Sequence, residues 1–183
     1  TAEEAAPQYH GLCTIACSSR ITNRVLRDIV ENIESGAVPL LRSIYYNPTS
    51  LCNLACRHCW LSPERATAKS LAEERGLSAV EFAAVLDQAM PLGLTGVKYT
   101  GGEPFLKADL GKMLEAAHQR GLDQWFESNL TTLSEEMAQI LAGIQPSMIS
   151  TSLDHCQAEQ HDRQRGRAGA FALTLANARK VVD

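Results

Sequence analysis

Three thiols fall within eight residues of this chain. The segment Ser50-Leu-Cys-Asn-Leu-Ala-Cys-Arg-His-Cys-Trp60 sets Cys52, Cys56 and Cys59 at a C-x3-C-x2-C spacing. Thiolates are soft ligands suited to iron–sulfur clusters or zinc, and a short loop can wrap three of them around one compact centre. Around a four-iron cube, three protein ligands leave one iron open to a further molecule. Around zinc, His58 or a distant side chain would supply the fourth ligand. Three disulfides from the six cysteines are disfavoured, because half of the thiols crowd into this loop and the acidic start TAEEAAPQYHG has no secretory character.

Elements must hold this loop in place. Residues 1–41 read as an N-terminal extension: Ile21, Val25, Ile29 and Ile33 recur every four residues and predict one amphipathic helix, stopped by Gly36 and Pro39. Residues 42–183 follow a βαβα rhythm, with strands predicted over 43–47, 97–100, 124–127 and 148–153. A long loop after the first strand leads to a helix opened by Ser78 with Glu81 three residues on, a capping-box pattern, burying Phe82, Val85, Leu86 and Ala89. The second helix buries Leu110, Met113, Leu114 and Ala117 and ends at Gly121. The third starts near Ser134 and turns Met137, Ile140 and Leu141 inward; the last starts near Ala170 with Phe171, Leu175, Ala178 and Val182 on one stripe. Four such units imply an α/β fold with a parallel sheet and right-handed crossovers, either open or part of a barrel.

That fold gives the polar motifs a common address. The cysteine loop, Thr100-Gly-Gly-Glu-Pro104, Ser128-Asn129 and Ser152-Leu-Asp154 each follow a successive predicted strand. The C-terminal ends of parallel strands lie on one face, where such folds place their active sites.

Composition narrows the partners. With 17 basic against 21 acidic residues the chain carries a net charge of −4, and no Lys/Arg block forms a nucleic-acid footprint. No apolar run reaches the roughly 20 residues that cross a bilayer. A cytoplasmic protein without nucleic-acid or membrane partners is expected. Cys13 and Cys17 offer only half of a four-ligand set, so no second cluster is expected there; Cys156 and Trp60 read as ordinary packing residues.

Cys52-Asn-Leu-Ala-Cys56-Arg-His-Cys59, followed in order by Gly101-Gly-Glu-Pro104, resembles the signature of the radical S-adenosylmethionine (SAM) enzymes. The resemblance spans residues 42–183 and implies a partial (β/α) barrel holding about four of the usual six units. It implies a [4Fe-4S] cluster on the three cysteines, SAM chelated to the open iron, and reductive cleavage of SAM to a 5′-deoxyadenosyl radical that abstracts hydrogen. Gly101 and Gly102 would let backbone approach SAM closely, and Glu103 would accept hydrogen bonds from its amino group. Ser128, Asn129, Ser152 and Arg165 become candidates for its ribose or carboxylate, and His58 for stacking on adenine, although Asn129 is not followed by the glycine common in relatives. An electron donor such as flavodoxin or ferredoxin is implied. His161-Asp-Arg-Gln-Arg165-Gly166, with Gly169 and Phe171, resembles the branch bearing C-terminal SPASM or twitch cluster domains. Peptide maturases are common there, so a peptide substrate is the first expectation and a tetrapyrrole or other small molecule the alternative. A non-catalytic zinc module is the rival from another class.

Overall fold

The computed structural model describes residues 27, 30, 31, 34–36, 41–74 and 76–182, and the chain divides into two compact units, 1–40 and 41–183. In the first unit Arg27, Val30, Glu31 and Glu34 are helical, while Ile21, Val25, Ile29 and Ile33 lie outside the described residues, as do Cys13 and Cys17.

The second unit runs β1 (Ser43–Tyr46), β2 (Leu51–Cys52), β3 (Glu64–Arg65), α1 (Ala68–Glu73), α2 (Ala79–Ala89), β4 (Gly96–Tyr99), α3 (Leu110–Gln119), β5 (Asp123–Glu127), α4 (Glu135–Ile144), β6 (Met148–Ser150), α5 (Ala158–Arg165) and α6 (Ala170–Val182). Four strands form one parallel sheet in the order β1-β4-β5-β6, flanked by helices. This is the partial parallel barrel expected from the sequence. The expected long loop between β1 and α2 holds more order than its residues announce. β2 and β3 pair in parallel, and α1 is closed by a Thr67–Ser70 capping box yet has no buried residue. An element that buries nothing leaves no periodicity to read.

Strand side chains alternate between faces. Val97, Tyr99 and Phe126 are fully buried against Phe82, Leu86 and Ala89 of α2 and Leu110, Met113, Leu114 and Ala117 of α3. Tyr99 Oη donates to Gln124 Oε1 at 3.1 Å and the Gln124 amide donates to the Leu114 carbonyl at 3.1 Å, which gives these two buried side chains partners. Ser78 and Glu81 cap α2 reciprocally, as their spacing predicts.

Two helix faces differ from expectation. Val85 is 39% exposed, because α2 needs only Phe82, Leu86 and Ala89 to cover the sheet. On α6 the buried positions are Ala170, Thr174 and Asn177, and Val182 is 84% exposed. The helix is turned from its apolar stripe because Thr174 Oγ1 and Asn177 Nδ2 donate to the Asn129 and Leu130 carbonyls. Those buried acceptors, left unmade, would cost more than the partial exposure of a valine. The strand predicted over 148–153 stops at Ser150, and the chain beyond it is held by the Asp154 amide donating to His161 Nδ1 at 3.3 Å. Replacing fully buried Leu114 by Ala should lower unfolding stability by about 2–5 kcal/mol, measured from the denaturant midpoint.

Candidate active site

The cysteine loop is fastened on two sides. On the inner side, Asn53 Nδ2 donates to Thr131 Oγ1 at 2.7 Å and Asn53 Oδ1 accepts from Asn129 Nδ2 at 3.0 Å. On the outer side, the Ala55 and Arg57 amides donate to the Arg165 and Gln164 carbonyls at 3.1 and 3.0 Å. These carbonyls belong to the last turn of α5, whose acceptors have no partner within the helix. Gly166 follows with φ 67°, and a Cβ there would overlap the Ala55 carbonyl, so only glycine allows the loop to lie so close.

The HDRQRG stretch builds this outer wall. His161 is buried and packs edge-on against Phe171. Asp162 accepts the Phe171 and Gly169 amides at the start of α6, and these donors, Phe171 first, hold its carboxyl below the usual range. Arg165 is buried and paired with Asp154 through Nε to Oδ2 at 2.7 Å and Nη2 to Oδ1 at 2.9 Å, while Nη1 lies 3.6 Å from Cys56 Sγ. Gln164 Nε2 is 2.6 Å from His58 Nδ1.

One cavity of about 220 Å³ is lined by Cys52, Cys56 and Cys59 together with His58, Gly101, Gly102, Ser128, Asn129, Ser152 and Arg165. A larger cavity of about 780 Å³ lies between α3 and α4 and holds no thiol, so the chemistry belongs to the smaller one. All the predicted site residues therefore meet on this wall except Glu103, which lies behind it and is 0% exposed. Its Oε1 accepts from Ser128 Oγ at 2.8 Å and the Phe105 amide at 3.2 Å, and its Oε2 accepts from the Asn129 amide at 2.8 Å. Burial pushes this carboxyl up to about 7, against the pull of those donors. Through these contacts Glu103 ties the β4 loop to the residues that follow β5. Gly102 likewise uses its amide on the Thr49 carbonyl.

The three thiols share this wall without pairing to one another. All three are free, with Cys52 buried and the others half-buried, and burial raises the Cys52 thiol above its ordinary range. Among the described residues no three His, Cys, Asp or Glu side chains are grouped to hold one metal ion. Donors face the sulfurs instead: Arg165 Nη1 at Cys56 and Asn129 Nδ2 at 3.9 Å from Cys52 Sγ. Hydrogen bonds to sulfur are how proteins stabilise and tune cluster thiolates.

Several supporting residues escape a sequence reading. Asn53 and Thr131 sit among loop residues, and their pairing joins positions 78 apart in the chain. Thr174 and Asn177 did leave a signal, two polar residues three apart in the otherwise apolar stretch 170–178. Gly166→Ala should strip the loop from α5, with iron loading after reconstitution falling several-fold while the main sheet still gives cooperative unfolding. Glu103→Gln turns an acceptor into a donor facing Ser128 and Asn129, and should cost about 1–3 kcal/mol in thermal or denaturant unfolding.

Among proteins of known function, the Fe-coproporphyrin III synthase of Methanosarcina barkeri is 33% identical over 132 residues, covering 72% of this chain and 32% of that protein. The AdoMet-dependent heme synthase of Oleidesulfovibrio alaskensis is 36% identical over 145 residues, covering 78% and 35%. This chain thus spans about a third of the length of the curated relatives it matches. The crystal structure of Streptococcus suis SuiB bound to its precursor peptide SuiA superposes with a TM-score of 0.62 at 21% identity, covering 85% of this chain and 34% of SuiB, which shows a shared fold. Residues 46–183 match the Radical SAM superfamily, and the chain belongs to that family of enzymes.

Proposed function

We propose that residues 42–183 hold a [4Fe-4S] cluster on Cys52, Cys56 and Cys59, bind SAM in the adjoining cavity, and serve an enzyme that modifies a tetrapyrrole. The observation that carries the first part is the single cavity wall on which three thiols meet Gly101, Gly102, Ser128, Asn129, Ser152 and Arg165. Bound there, cluster and SAM together supply a carbon radical that abstracts hydrogen from substrate.

The chain's own residues prepare that site. Three thiolates would leave one iron of a four-iron cube without a protein ligand, in a cavity that Gly101 and Gly102 also line. Arg165 and Asn129 direct N–H groups at two of the sulfurs. Arg165 is itself oriented by Asp154, so Ser152 and Asp154 bring the end of β6 into the site. His58, steadied by Gln164, presents a flat ring for adenine. An electron donor of flavodoxin or ferredoxin type would supply the reductant.

The tetrapyrrole reading replaces the peptide substrate expected first. Two relatives above 30% identity are named for making Fe-coproporphyrin III and heme, whereas the peptide-bound neighbour shares the fold at 21% identity. The HDRQRGRAGAF stretch, which motivated the peptide expectation, spends His161, Asp162, Arg165 and Gly166 on the wall of the site and the start of α6. Residues committed to scaffold carry no information about substrate. No described helix is long and apolar enough to cross a membrane.

Anaerobic reconstitution should give about four irons per chain, abolished by Cys56→Ala. A Cys52/Cys56/Cys59→Ala variant that kept its iron and sulfide would refute the ligand assignment. With SAM and a strong reductant, the loaded chain should release 5′-deoxyadenosine, measured by mass spectrometry. Stimulation of that release by coproporphyrin-type substrates is expected of the enzyme, and stimulation by peptides alone would return the peptide reading to first place.

A further inference from the structure

The main sheet has a second face, turned away from the helices. Strand register aligns Tyr45 with Lys98, Lys98 with Trp125, and Trp125 with Met148, so these four side chains form one row across β1, β4, β5 and β6. None of them belongs to a buried hydrophobic cluster. Tyr45 is 70% exposed and Met148 49% exposed. One strand step closer to the cysteines, Thr100 and Glu127 line the thiol cavity itself, so the row continues the floor of the site.

The row is flat and carries a cation at its centre. Lys98 Nζ lies 5.1 Å from the centre of the Tyr45 ring and 2.5 Å from Glu127 Oε1. On its other side, the Trp125 indole lies across Gly96 of β4, where a Cβ would overlap the ring. Glycine at that position lets the indole rest against the sheet instead of standing up from it. Glu127 keeps a second partner, accepting from Thr100 Oγ1 at 2.7 Å, and its side chain is 47% exposed. An ion pair of this kind is weak and exchangeable in water, so another carboxylate can take Lys98 while Glu127 stays held by Thr100.

We propose that the row Tyr45-Lys98-Trp125-Met148 is the floor on which a flat, carboxylate-bearing substrate lies, with Lys98 as the anchor for one of its carboxylates. The inference rests on the tetrapyrrole reading and adds to it the surface and the charge that recognise the ring. Aromatic side chains on the strands either side of Lys98 offer stacking area, and the cation selects acidic side chains over neutral ones. The distance of one strand step to Thr100 and Glu127 puts such a ring next to the thiol cavity.

The test titrates coproporphyrin III and its tetramethyl ester, in the same detergent, into the reconstituted chain and follows the porphyrin's Soret band. The free acid should bind at least about tenfold more tightly than the ester, and Lys98→Met should erase that difference. Lys98→Arg should restore it. SAM affinity and the melting transition of Lys98→Met should match the unchanged chain, which separates a lost anchor from a lost fold. Wild-type affinity for the acid in Lys98→Met would overturn the anchor and leave the tetrapyrrole reading standing. A chain that bound neither porphyrin would overturn both. A loss that Lys98→Arg failed to restore would also count against the anchor.

Discussion

A carboxylate with no access to water sits behind the wall of this site. Glu103 is fully buried, and an unpaired charge there would cost several kcal/mol, so its surroundings must supply donors. They come from Ser128, the Asn129 amide and the Phe105 amide. Each donor fixes a piece of backbone: Ser128 and Asn129 end β5, and Phe105 follows the glycine turn beyond β4. Asn129 passes the constraint on, because its side-chain amide faces both Asn53 Oδ1 and Cys52 Sγ. The first cysteine thus takes its position from a buried charge two contacts away. Ser128 Oγ also accepts the Leu130 amide at 2.9 Å, which helps hold Leu130 at a φ of 57°.

The second constraint works from outside. A loop bearing three reactive thiols would by itself be mobile, since it makes few ladder hydrogen bonds. Here the unpaired carbonyls at the end of α5 serve as its missing partners. Helix end and loop each solve the other's unsatisfied backbone, and Arg165 adds a charged group reaching Cys56 from the same turn. Support from both sides holds the three thiols within the narrow tolerances a metal centre would need.

Much of this was legible in sequence, and the reasons differ from residue to residue. The strands, the capping of α2 by Ser78 and Glu81, and the fully buried face of α3 follow from local periodicity and end signals, so they could be read directly. The gathering of motifs at strand ends follows from topology alone. The protein partners of Glu103 could not be read, because Ser128 and Asn129 lie 25 and 26 positions further along the chain. The face of α6 was misread for a related reason. Apolar periodicity assumes that burial is driven by hydrocarbon, whereas Thr174 and Asn177 are drawn inward by the Asn129 and Leu130 carbonyls. Short α1 and the β2–β3 pair bury or pair too few residues to leave a pattern.

The two faces of the sheet also differ in composition. Parallel sheets covered on both sides have strands that read as continuous apolar runs. β4 instead reads Gly-Val-Lys-Tyr, with Val97 and Tyr99 in the core and Lys98 on the other side. A barrel interior that is merely packed is filled by branched apolar side chains in layers. The rows here are Tyr45, Lys98, Trp125 and Met148, then Thr100, Glu127 and Ser150, none of them a branched hydrocarbon. Buried polar groups need polar partners, and here the Glu127 carboxylate takes both the Lys98 ammonium and the Thr100 hydroxyl. The same alternation that places Val97 and Tyr99 against the helices therefore gives the opposite face a polar and aromatic composition, which Thr100 and Glu127 carry on to the lining of the thiol cavity.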